Sequence, residues 1–476
     1  MIRLQSVHDL DDRHDLVVIG AGPAGMAAVM EAARSGVRTL VLDENPSYGG
    51  QIYRGIASTT KKRLGILGKD YAHGAGLAQE FTASDAGYLA KATVWQLSPE
   101  REIGVSCDGR SRLIMADRIL VATGAMERPF PVEGWTLPGV MTAGAAQILL
   151  KASGAVLGPK VVLAGTGPLL WLIASQYIKA NVPLAAILDT TPRANFLAAI
   201  PSLPSFIASP YFAKGVGLLA KVRGSVRVHT NVGRVVAEGD RRLERVRFFA
   251  GDRENVLEAD HLLLHQGVIP EVSLLRSAGC EMTWDDGQIC WRPKANAAGE
   301  TSVPGVYVAG DCHAVYGAEA AELAGRRIAL EVARSLDRIQ GTPFAGRCAE
   351  IERRRAPYMR GRAFLDRMFR PRPSHLVPAD NAIACRCEEV LAKTVRDTAA
   401  RLKVQGPNQL KAFLRCGMGP CQGRQCGPGI AAIIAGIRGV PVGDIGALRL
   451  RPPVKPINLG QIADLCAAPV KGAEKS

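Results

Sequence analysis

Apolar runs separated by glycine turns and amphipathic stretches divide the first 340 residues into alternating strands and helices. The run Leu16–Ile19 has no polar position, as is typical of a strand buried on both faces of a parallel sheet. A glycine turn follows it, then a stretch with apolar residues at helical spacing, and then a second apolar run, Thr39–Leu42. The pattern predicts an α/β protein that begins with a strand, a helix and a strand.

The turn after the first strand has the sequence GAGPAG and predicts a dinucleotide site. Gly20 permits a tight turn, Gly22 lets the backbone approach a pyrophosphate, and Gly25 lets the helix pack closely on the strand. The helix N-terminus offers free N–H groups to the phosphates. Asp43, or Glu44 if the strand ends one residue later, is placed to bind ribose hydroxyls. The residues assigned to this part of the site are Gly20, Gly22, Pro23, Ala24, Gly25, Asp43 and Glu44.

Three later turns are predicted to approach the same cofactor. The segment PSYGGQIYR follows the second strand, and its paired glycines allow backbone contact with a ligand. The segment ADRILVATGAME is a strand that runs into a turn of small residues. The segment TSVPGVYVAGD is a strand that ends in an acid, and a helix of small residues follows it. The residues assigned here are Gly50, Gln51, Thr123, Gly124, Gly310, Asp311 and Ala318.

The strand–turn–helix pattern occurs a second time, around Gly165, Gly167 and Pro168, and its second strand ends at Asp189. Leu170 stands where a third glycine is expected, so this nucleotide site is weaker than the first. Asp189 would repel a 2′-phosphate, which favours NAD or ATP over NADP. The alternative is a duplicated fold element that has lost its ligand. His265, at the end of a later strand, is expected to be a satisfied structural histidine.

Composition supports a globular protein with several cores: 476 residues, 47% hydrophobic, with 51 glycines and 29 prolines. No apolar stretch is long enough to span a bilayer, and the polar N-terminus has no signal-peptide core. Cytoplasm is therefore the expected location. The net charge of +15 is concentrated in Arg353–Arg372. Nucleic-acid binding is not predicted, because no stacking-aromatic pattern accompanies these arginines, and a solvated face or a docking surface for an acidic partner is favoured.

Eleven cysteines are present, and six of them follow residue 378. The other five are scattered, as is usual for buried cytosolic thiols. The late group contains CRC at Cys385–Cys387 and CGMGPCQGRQC at Cys416–Cys426, with Cys466 further on. Clustered thiolates on glycine-rich turns predict iron–sulfur or zinc ligation. The C-x₂-C knuckles usual for zinc are absent, and buried structural thiols remain the alternative.

Residues 15–335 resemble the two-dinucleotide-domain flavoproteins, the family of disulfide reductases and NADH-dependent ferredoxin reductases. The motifs that carry the resemblance are GAGPAG at Gly20–Gly25, ATG at Ala122–Gly124 and VAGD at Val308–Asp311. The resemblance implies that FAD occupies the first site, that Asp311 contacts its ribityl–pyrophosphate part and that the backbone at Val94 approaches the adenine. Disulfide reductases of this class carry a cysteine pair near the flavin. This chain has no C-x₂-C, so dithiol chemistry is excluded.

The cysteine-rich region resembles the bacterioferritin-associated ferredoxin domain, which holds a 2Fe–2S cluster through four cysteines. The resemblance implies Cys385, Cys387, Cys421 and Cys426 as ligands and leaves Cys416 as a neighbour. The C-x₄-C spacing of the second pair departs from the C-x₂-C of the small ferredoxin.

The combination of flavin domains with CRCEE, GMGPCQGR and the closing RPPVKPINLGQIA resembles a narrower family, over about residues 15–460. These proteins are the large FAD/2Fe–2S subunits of hetero-oligomeric amine dehydrogenases, such as opine (octopine or nopaline) oxidase, hydrogen cyanide synthase and D-hydroxyproline dehydrogenase. The resemblance implies a smaller FAD-dependent beta subunit that oxidises an amino acid, imino acid or opine C–N bond, and room for a further small subunit. It also implies a quinone or carrier protein as electron acceptor, and allows peripheral association with the inner face of the membrane.

Two other functions remain open at this point. In the first, the chain is a stand-alone NADH-dependent flavin reductase that delivers electrons to a carrier protein. In the second, the second nucleotide site has only a structural or regulatory role. The expected organisation is an FAD domain in two parts, an inserted nucleotide domain and a helical 2Fe–2S domain. A small β-meander is expected from strands at Tyr88–Trp95, Ile103–Cys107 and Arg112–Met115. The predicted boundaries are 1–155 and 266–340 for the FAD domain, 156–265 for the second nucleotide domain, 341–378 for a basic linker or docking arm, 379–440 for the 2Fe–2S domain and 441–476 for a tail.

Overall fold

The computed structural model describes residues 1–467, which form two sheet-based α/β units and a small helical unit at the C-terminal end. The first unit begins with the predicted strand, glycine turn, helix and strand. Its elements in chain order are β1 (Ile2–Leu4), β2 (Arg13–Ile19), α1 (Pro23–Arg34), β3 (Thr39–Asp43), α2 (Lys61–Leu67), α3 (Lys69–Thr82), β4 (Gly87–Ala90), β5 (Thr93–Leu97), β6 (Glu102–Cys107) and β7 (Arg110–Val121).

The first sheet has the strand order β1-β4-β3-β2-β7, all parallel, and β6 and β5 extend it in antiparallel fashion. Ile19 on β2 pairs with Leu42 on β3 and with Val121 on β7. The three strands therefore end side by side, and their carboxyl ends form one edge at which ligands of open α/β sheets bind. Apolar residues of α1 and α3 cover one face of the parallel strands. Apolar residues of β5 and β6, which extend the sheet beyond β7, pack on the other face.

The second unit is inserted after β7 and contains the second glycine turn. Its elements are β8 (Ala125–Glu127), β9 (Val140–Thr142), α4 (Ala143–Ser153), β10 (Val161–Thr166), α5 (Pro168–Lys179), β11 (Leu184–Asp189), α6 (Arg193–Ala199), α7 (Leu203–Ile207), α8 (Tyr211–Arg223), β12 (Val228–His229), β13 (Val232–Glu238), β14 (Arg245–Ala250), β15 (Arg253–Glu258), β16 (His261–Gln266) and β17 (Val268–Pro270). Its parallel sheet has the order β12-β11-β10-β16-β9, and an antiparallel sheet, β13-β14-β15, accompanies it.

The chain then returns to the first unit through α9 (Ser273–Ser277), β18 (Met282–Asp285), β19 (Cys290–Pro293), β20 (Val306–Val308) and α10 (Ala318–Ser335). Strand β20 pairs with β7 and completes the first sheet. Helix α10 packs directly on α1, because Gly325 has no side chain to hold the two helices apart. A Cβ there would lie only 2.0 Å from the carbonyl oxygen of Ala24. The FAD-domain pattern is thus assembled from two distant segments.

The remaining elements are α11 (Gly341–Arg360), α12 (Arg362–Met368), α13 (Pro373–Leu376), β21 (Ile383–Cys385), β22 (Val390–Leu391), α14 (Ala392–Arg401), α15 (Pro407–Leu414), α16 (Gly427–Arg438), α17 (Val442–Ile445) and α18 (Leu459–Ala467). Helices α14, α15 and α16 form a small core with the cysteines Cys385, Cys416 and Cys426 at one end. This is the C-terminal helical unit that the sequence predicts.

Three predicted features differ in the structure. The residues expected to be a linker, 341–378, are largely helical, because Phe344, Cys348 and Ile351 recur at helical spacing and pack against α10. The expected strand Tyr88–Trp95 is two strands, since Lys91 adopts a left-handed conformation between β4 and β5.

The third difference is that the predicted tail is docked on the first unit. Val454 is buried in its core, and the Asp464 carboxylate accepts hydrogen bonds from Ser111 N–H and Arg110, both at 2.9 Å. The side chain of Cys466 and residues 468–476 of that tail lie outside the described residues.

No single helix in residues 1–467 is long and apolar enough to cross a membrane. One pair of helical segments, Arg193–Ile207 and Tyr211–Arg223, reaches that length and composition only when both are taken together. These segments meet at 119°.

Candidate functional site

A cleft of about 330 Å³ opens at the carboxyl edge of the first sheet. It collects residues from both segments of the first unit and from α4. Of the fifteen positions that the sequence assigned to the first cofactor, thirteen line this cleft: Gly20, Gly22, Pro23, Ala24, Asp43, Glu44, Gly50, Gln51, Val94, Thr123, Gly124, Asp311 and Ala318.

The other two, Gly25 and Gly310, lie just behind the cleft wall. A Cβ at Gly25 would come within 1.9 Å of the Gly20 carbonyl oxygen, and a Cβ at Gly310 within 2.7 Å of Ala24 Cβ. Both positions therefore serve the close packing of the turn on its neighbours.

The floor of the cleft is bare backbone. Gly22 and Gly50 face each other, and a Cβ at Gly50 would lie 2.8 Å from Gly22 Cα. Helix α1 starts at Pro23 and helix α10 at Ala318, and neither has a side-chain cap. The free N–H groups and the positive dipole ends of both helices therefore face the same cleft. This cradle fits the pyrophosphate of a dinucleotide.

The acids of the cleft have distinct partners. Asp43 is buried, and its carboxylate accepts hydrogen bonds from the N–H groups of Ala21 (2.6 Å) and Asn45 (2.8 Å). Burial raises the pKa of Asp43, and these amide bonds oppose the rise. Glu44 is half exposed and forms an ion pair of 2.6 Å with Lys455. Asp43 thus holds the glycine turn in place, whereas Glu44 and Lys455 stand at the cleft wall.

Asp311 lies just before the start of α10, where the resemblance places a ribityl–pyrophosphate contact. Its Oδ1 accepts hydrogen bonds from the N–H groups of Tyr316 (2.9 Å) and Gly317 (3.3 Å). Burial raises its pKa, and the same two amide bonds lower it in part. The carboxylate is therefore anchored by backbone at one oxygen, and the residue lines the cleft.

Sequence reasoning missed a lysine in this cleft. Lys151 on α4 is 2% exposed, and its Nζ donates to the Gln51 carbonyl oxygen (3.0 Å) and to Gln147 Oε1 (2.8 Å). Burial lowers its pKa to about 7, and the nearby positive charge of Arg54 adds to the fall. Gln147 in turn donates to Gln176 on α5 at 2.9 Å. The one sequence feature that could have revealed it is a lysine interrupting the apolar face of AAQILLKAS.

The second glycine turn is more crowded at its second and third positions. A Cβ at Gly167 would lie 3.1 Å from the His265 ring, whereas a Cβ at the equivalent Gly22 has nothing nearer than 3.8 Å, and Leu170, in the third-glycine position, is fully buried. Asp189 is also buried, and its Oδ1 accepts from the Thr191 N–H. Arg372 lies over the end of β11 and donates from Nε to the Thr190 carbonyl oxygen at 3.2 Å.

His265 is a satisfied histidine at one ring nitrogen, in keeping with the structural role expected for it. Its Nδ1 lies 2.7 Å from Glu127 Oε1, and the other oxygen of Glu127 accepts from the Gly144 N–H. A Cβ at Gly167 would lie 3.1 Å from the His265 Nε2. The Glu127–His265 pair therefore supports the second glycine turn from below.

The four predicted ligands and Cys416 converge at one end of the C-terminal helical unit. The thiols of Cys416 and Cys426 lower the pKa of Cys385, and those of Cys426 and Cys387 lower the pKa of Cys421. The same interactions raise the pKa of Cys416 and Cys426. The five thiols are therefore close enough to influence one another, and a bound metal would favour their ionised forms.

No three His, Cys, Asp or Glu side chains in the described residues converge on a single metal-ion position. A 2Fe–2S cluster does not require this, because each of its irons takes two protein thiolates. The backbone is also close at this point, since a Cβ at Gly419 would lie 2.4 Å from Cys387 Cβ. Two cysteine pairs on adjacent turns suit a cluster of two irons.

A second, smaller cavity of about 110 Å³ lies beside the cleft. Glu271 and Ser273 line both this cavity and the cleft. Gln422–Arg424, directly after Cys421, line the same cavity. Arg424 also donates to the carbonyl oxygen of Val454, which lines the cleft, at 3.1 Å. The cleft and the turn after Cys421 therefore border one cavity.

Comparison with known families decides the class. The model of the pyridine nucleotide-disulphide oxidoreductases matches residues 14–332, and that of the BFD-like [2Fe-2S] binding domain matches residues 383–436. The A subunit of opine oxidase from Agrobacterium tumefaciens (strain Ach5) is 46% identical over 96% of this chain and 93% of its own length. The chain belongs to the family of opine oxidase A subunits.

Two further comparisons also cover most of this chain. The HcnB subunit of hydrogen cyanide synthase from Pseudomonas protegens is 31% identical over 93% of this chain and 96% of its own length. The solved L-proline dehydrogenase of P. horikoshii covers 97% of this chain with a TM-score of 0.71, and this chain covers 80% of it. At 18% identity, that likeness shows the fold alone.

Family membership confirms the predicted class and cofactors. The chain is an oxidoreductase with FAD and a 2Fe–2S cluster, on a two-dinucleotide-domain fold with a C-terminal ferredoxin-like unit. The named relatives are subunits, so other subunits accompany chains of this family.

Proposed function

We propose that this chain relays electrons within a dehydrogenase or oxidase complex that acts on the C–N bond of an amino acid, imino acid or opine. A smaller FAD-dependent subunit would oxidise the substrate, and a quinone or a carrier protein would accept the electrons. The proposed location is the cytoplasm. FAD supplies two-electron chemistry and a 2Fe–2S cluster one-electron chemistry. The observation that carries the proposal is the cavity that both the first cofactor cleft and the turn after Cys421 border.

Glu271 and Ser273 form the wall between the cleft and this cavity, and their positions are fixed by hydrogen bonds. Glu271 and Ser273 contact the flavin cleft on one side and the cavity beside Cys421 on the other. The Glu271 carboxylate is held by the Ser273 N–H at 2.8 Å, and its carbonyl oxygen accepts from Thr123 Oγ1 at 2.9 Å. These bonds fix the residues between the cleft and the cavity to the turn at Thr123.

The first experiment asks whether the isolated chain oxidises any amine. The purified full-length chain, loaded with both cofactors, is mixed anaerobically with opines, D- and L-amino acids, proline analogues, sarcosine and glycine. We expect no fast reduction of the flavin until the smaller subunit is added. Fast reduction by one of these compounds without that subunit would contradict the relay function. Fast bleaching by NADH alone would favour the stand-alone reductase instead.

We also propose Cys385, Cys387, Cys421 and Cys426 as the cluster ligands, in line with the resemblance to the ferredoxin domain. Cys421→Ser and Cys426→Ser should each lose iron and acid-labile sulfide, because an iron site is then left open. Cys416→Ser is the matched control and should keep the cluster. Loss of iron from Cys416→Ser together with retention by Cys421→Ser would show that the ligand set is wrong.

A further inference from the structure

The cavity of about 110 Å³ beside the cleft has an excess of positive charge. Three arginines line it, Arg128, Arg276 and Arg424, against one carboxylate among the described residues, that of Glu271. Each arginine donates to backbone carbonyl oxygens, and none forms an ion pair in the part of the chain that the structure describes. Guanidinium groups that are shielded from water and lack a counterion favour an anion in the space beside them.

Arg276 and Arg424 keep hydrogen-bond donors that the fold does not use. Nη2 of Arg276 donates to the Leu448 carbonyl oxygen, and Nη1 of Arg424 to that of Val454 at 3.1 Å. A guanidinium carries five N–H donors, so most donors of both side chains have no partner among the described residues. Burial lowers the pKa of Arg276 to about 10, which leaves it a cation at neutral pH. Arg128 differs, because all three of its nitrogens donate to carbonyl oxygens.

Most of the remaining wall is apolar. Trp284 and Trp291 stand edge to face with ring centroids 5.5 Å apart, and Ile289 and Ala432 line the same space. Ser273 is 7% exposed, and its hydroxyl has no hydrogen-bond partner within residues 1–467. A strongly hydrated inorganic anion would lose its water shell here without enough donors to replace it. The cavity therefore suits an anion that also carries an apolar body.

The size of the cavity limits the length of such a ligand. A cavity of about 150 Å³ holds benzene, so this one has room for about four to six non-hydrogen atoms. A carboxylate takes three of these atoms, and its two oxygens match paired N–H donors of a guanidinium. Two or three atoms then remain for the apolar body.

We propose that this cavity binds a small organic monocarboxylate, with its charged end at Arg276 and Arg424 and its body against the two tryptophans. The occupant would also reach Ser273, whose hydroxyl supplies a neutral hydrogen bond. The inference goes beyond the electron-relay function and does not depend on it, because it needs only the lining of this cavity.

The test is calorimetric titration of the purified full-length chain, loaded with both cofactors, with propionate and with pyruvate. We expect saturable binding at one site per chain, with dissociation constants of about 0.1–10 mM for ligands of this size. Propionamide and inorganic phosphate should bind at least about tenfold more weakly, since the first has no charge and the second no apolar body. Absence of saturable binding by both carboxylates would overturn the proposal, as would equal binding of propionamide or phosphate.

Two kinds of variant locate the site. Arg276→Gln and Arg424→Gln should each weaken propionate binding by about tenfold or more, because each removes charged donors. Arg241→Gln, at an exposed arginine of the second unit, is their control and should bind as wild type. Ala432→Leu fills the cavity and removes no donor, so it should also weaken binding by about tenfold or more. Its control is Gly436→Leu, at an open position of the same helix. Wild-type affinity in the Arg276 and Ala432 variants would overturn the proposal.

Hydrogen exchange of the wild-type chain locates the ligand without any substitution. Propionate should protect peptides from residues 269–276 and 422–432, which line the cavity from two different units. Peptides from residues 245–258, in the antiparallel sheet, should not change. Protection confined to segments that do not line the cavity would show that the carboxylate binds elsewhere and would overturn the proposal.

Discussion

The two glycine turns of this chain arise from the same local pattern, yet they present different surfaces. At the first, Gly22 and Gly50 leave bare backbone facing a cleft of about 330 Å³, with two helix N-termini directed into it. At the second, the His265 ring lies beside Gly167, the equivalent of Gly22, and buried Leu170 replaces the third glycine. The comparison shows that a glycine turn becomes a binding site only when distant segments leave room beside it.

The largest expected effect on ligand binding comes from filling the first turn. Gly22 has φ −78°, and the nearest atom to a Cβ there is 3.8 Å away, so Gly22→Val should fold. Its side chain would project into the cleft and weaken FAD binding by about 10- to 100-fold. FAD retained after purification and its dissociation constant are the measurements. Gly65→Val, at an open position on α2, is the control and should keep the flavin. Full FAD occupancy in Gly22→Val would place the pyrophosphate elsewhere.

The second turn should respond in stability rather than in ligand binding. Leu170 is 0% exposed, so Leu170→Ala should lower the free energy of unfolding by about 2–5 kcal/mol. It should not create tight NAD or ATP binding, because the His265 ring still lies beside Gly167. Chemical denaturation and calorimetric titration measure the two effects. Leu169→Ala, at the partly buried neighbour, should cost less. A gain of tight nucleotide binding would show that Leu170 alone closed the site.

Lys151 lies in the cleft beside the first turn, and its burial predicts a pH dependence. Its pKa is about 7 in the folded chain, lowered from 10.5, the ordinary value that applies when the chain is unfolded. Between these values the unfolded chain binds more protons, so this group makes the folded state more stable as pH rises. The stability of wild type relative to Lys151→Met should rise by at most about 1.4 kcal/mol per pH unit across that window. Denaturation of both apoproteins across that pH window tests this, and a flat difference would contradict it.

The smallest effect concerns Arg372, which lies beside the second turn. Arg372 donates to the Thr190 carbonyl oxygen and to Asn231 beside the end of β11. Arg372→Ala should expose Asp189 and tighten NAD binding at the second turn by about two- to tenfold, the range of one or two hydrogen bonds. Calorimetric titration with NAD measures it, and Arg370→Ala serves as the neighbouring control. Weaker binding in Arg372→Ala would make Arg372 a ligand contact.

The sequence alone was sufficient for features that depend on local pattern. Apolar runs and glycine spacing predicted β2, α1 and β3, and the strand–turn–helix around Gly165. Thirteen of fifteen residues assigned to the first cofactor line one cleft, because strand ends of a parallel sheet share an edge. The cysteine spacing likewise predicted a cluster unit, since thiolates close in sequence on tight turns stay close in space.

Tertiary structure alone decided what depends on segments far apart in the chain. Lys151 meets Gln51 across 100 residues, and Glu271 and Ser273 line one cavity with Gln422–Arg424 of the C-terminal unit. The helical arm and the docked tail were not predicted as such. Their apolar positions are few, and what buries them lies in other elements. The spacing of apolar residues along the chain indicates whether a segment is a helix or a strand. The burial of Lys151, its lowered pKa and the wall formed by Glu271 and Ser273 instead arise from contacts between distant parts of the chain.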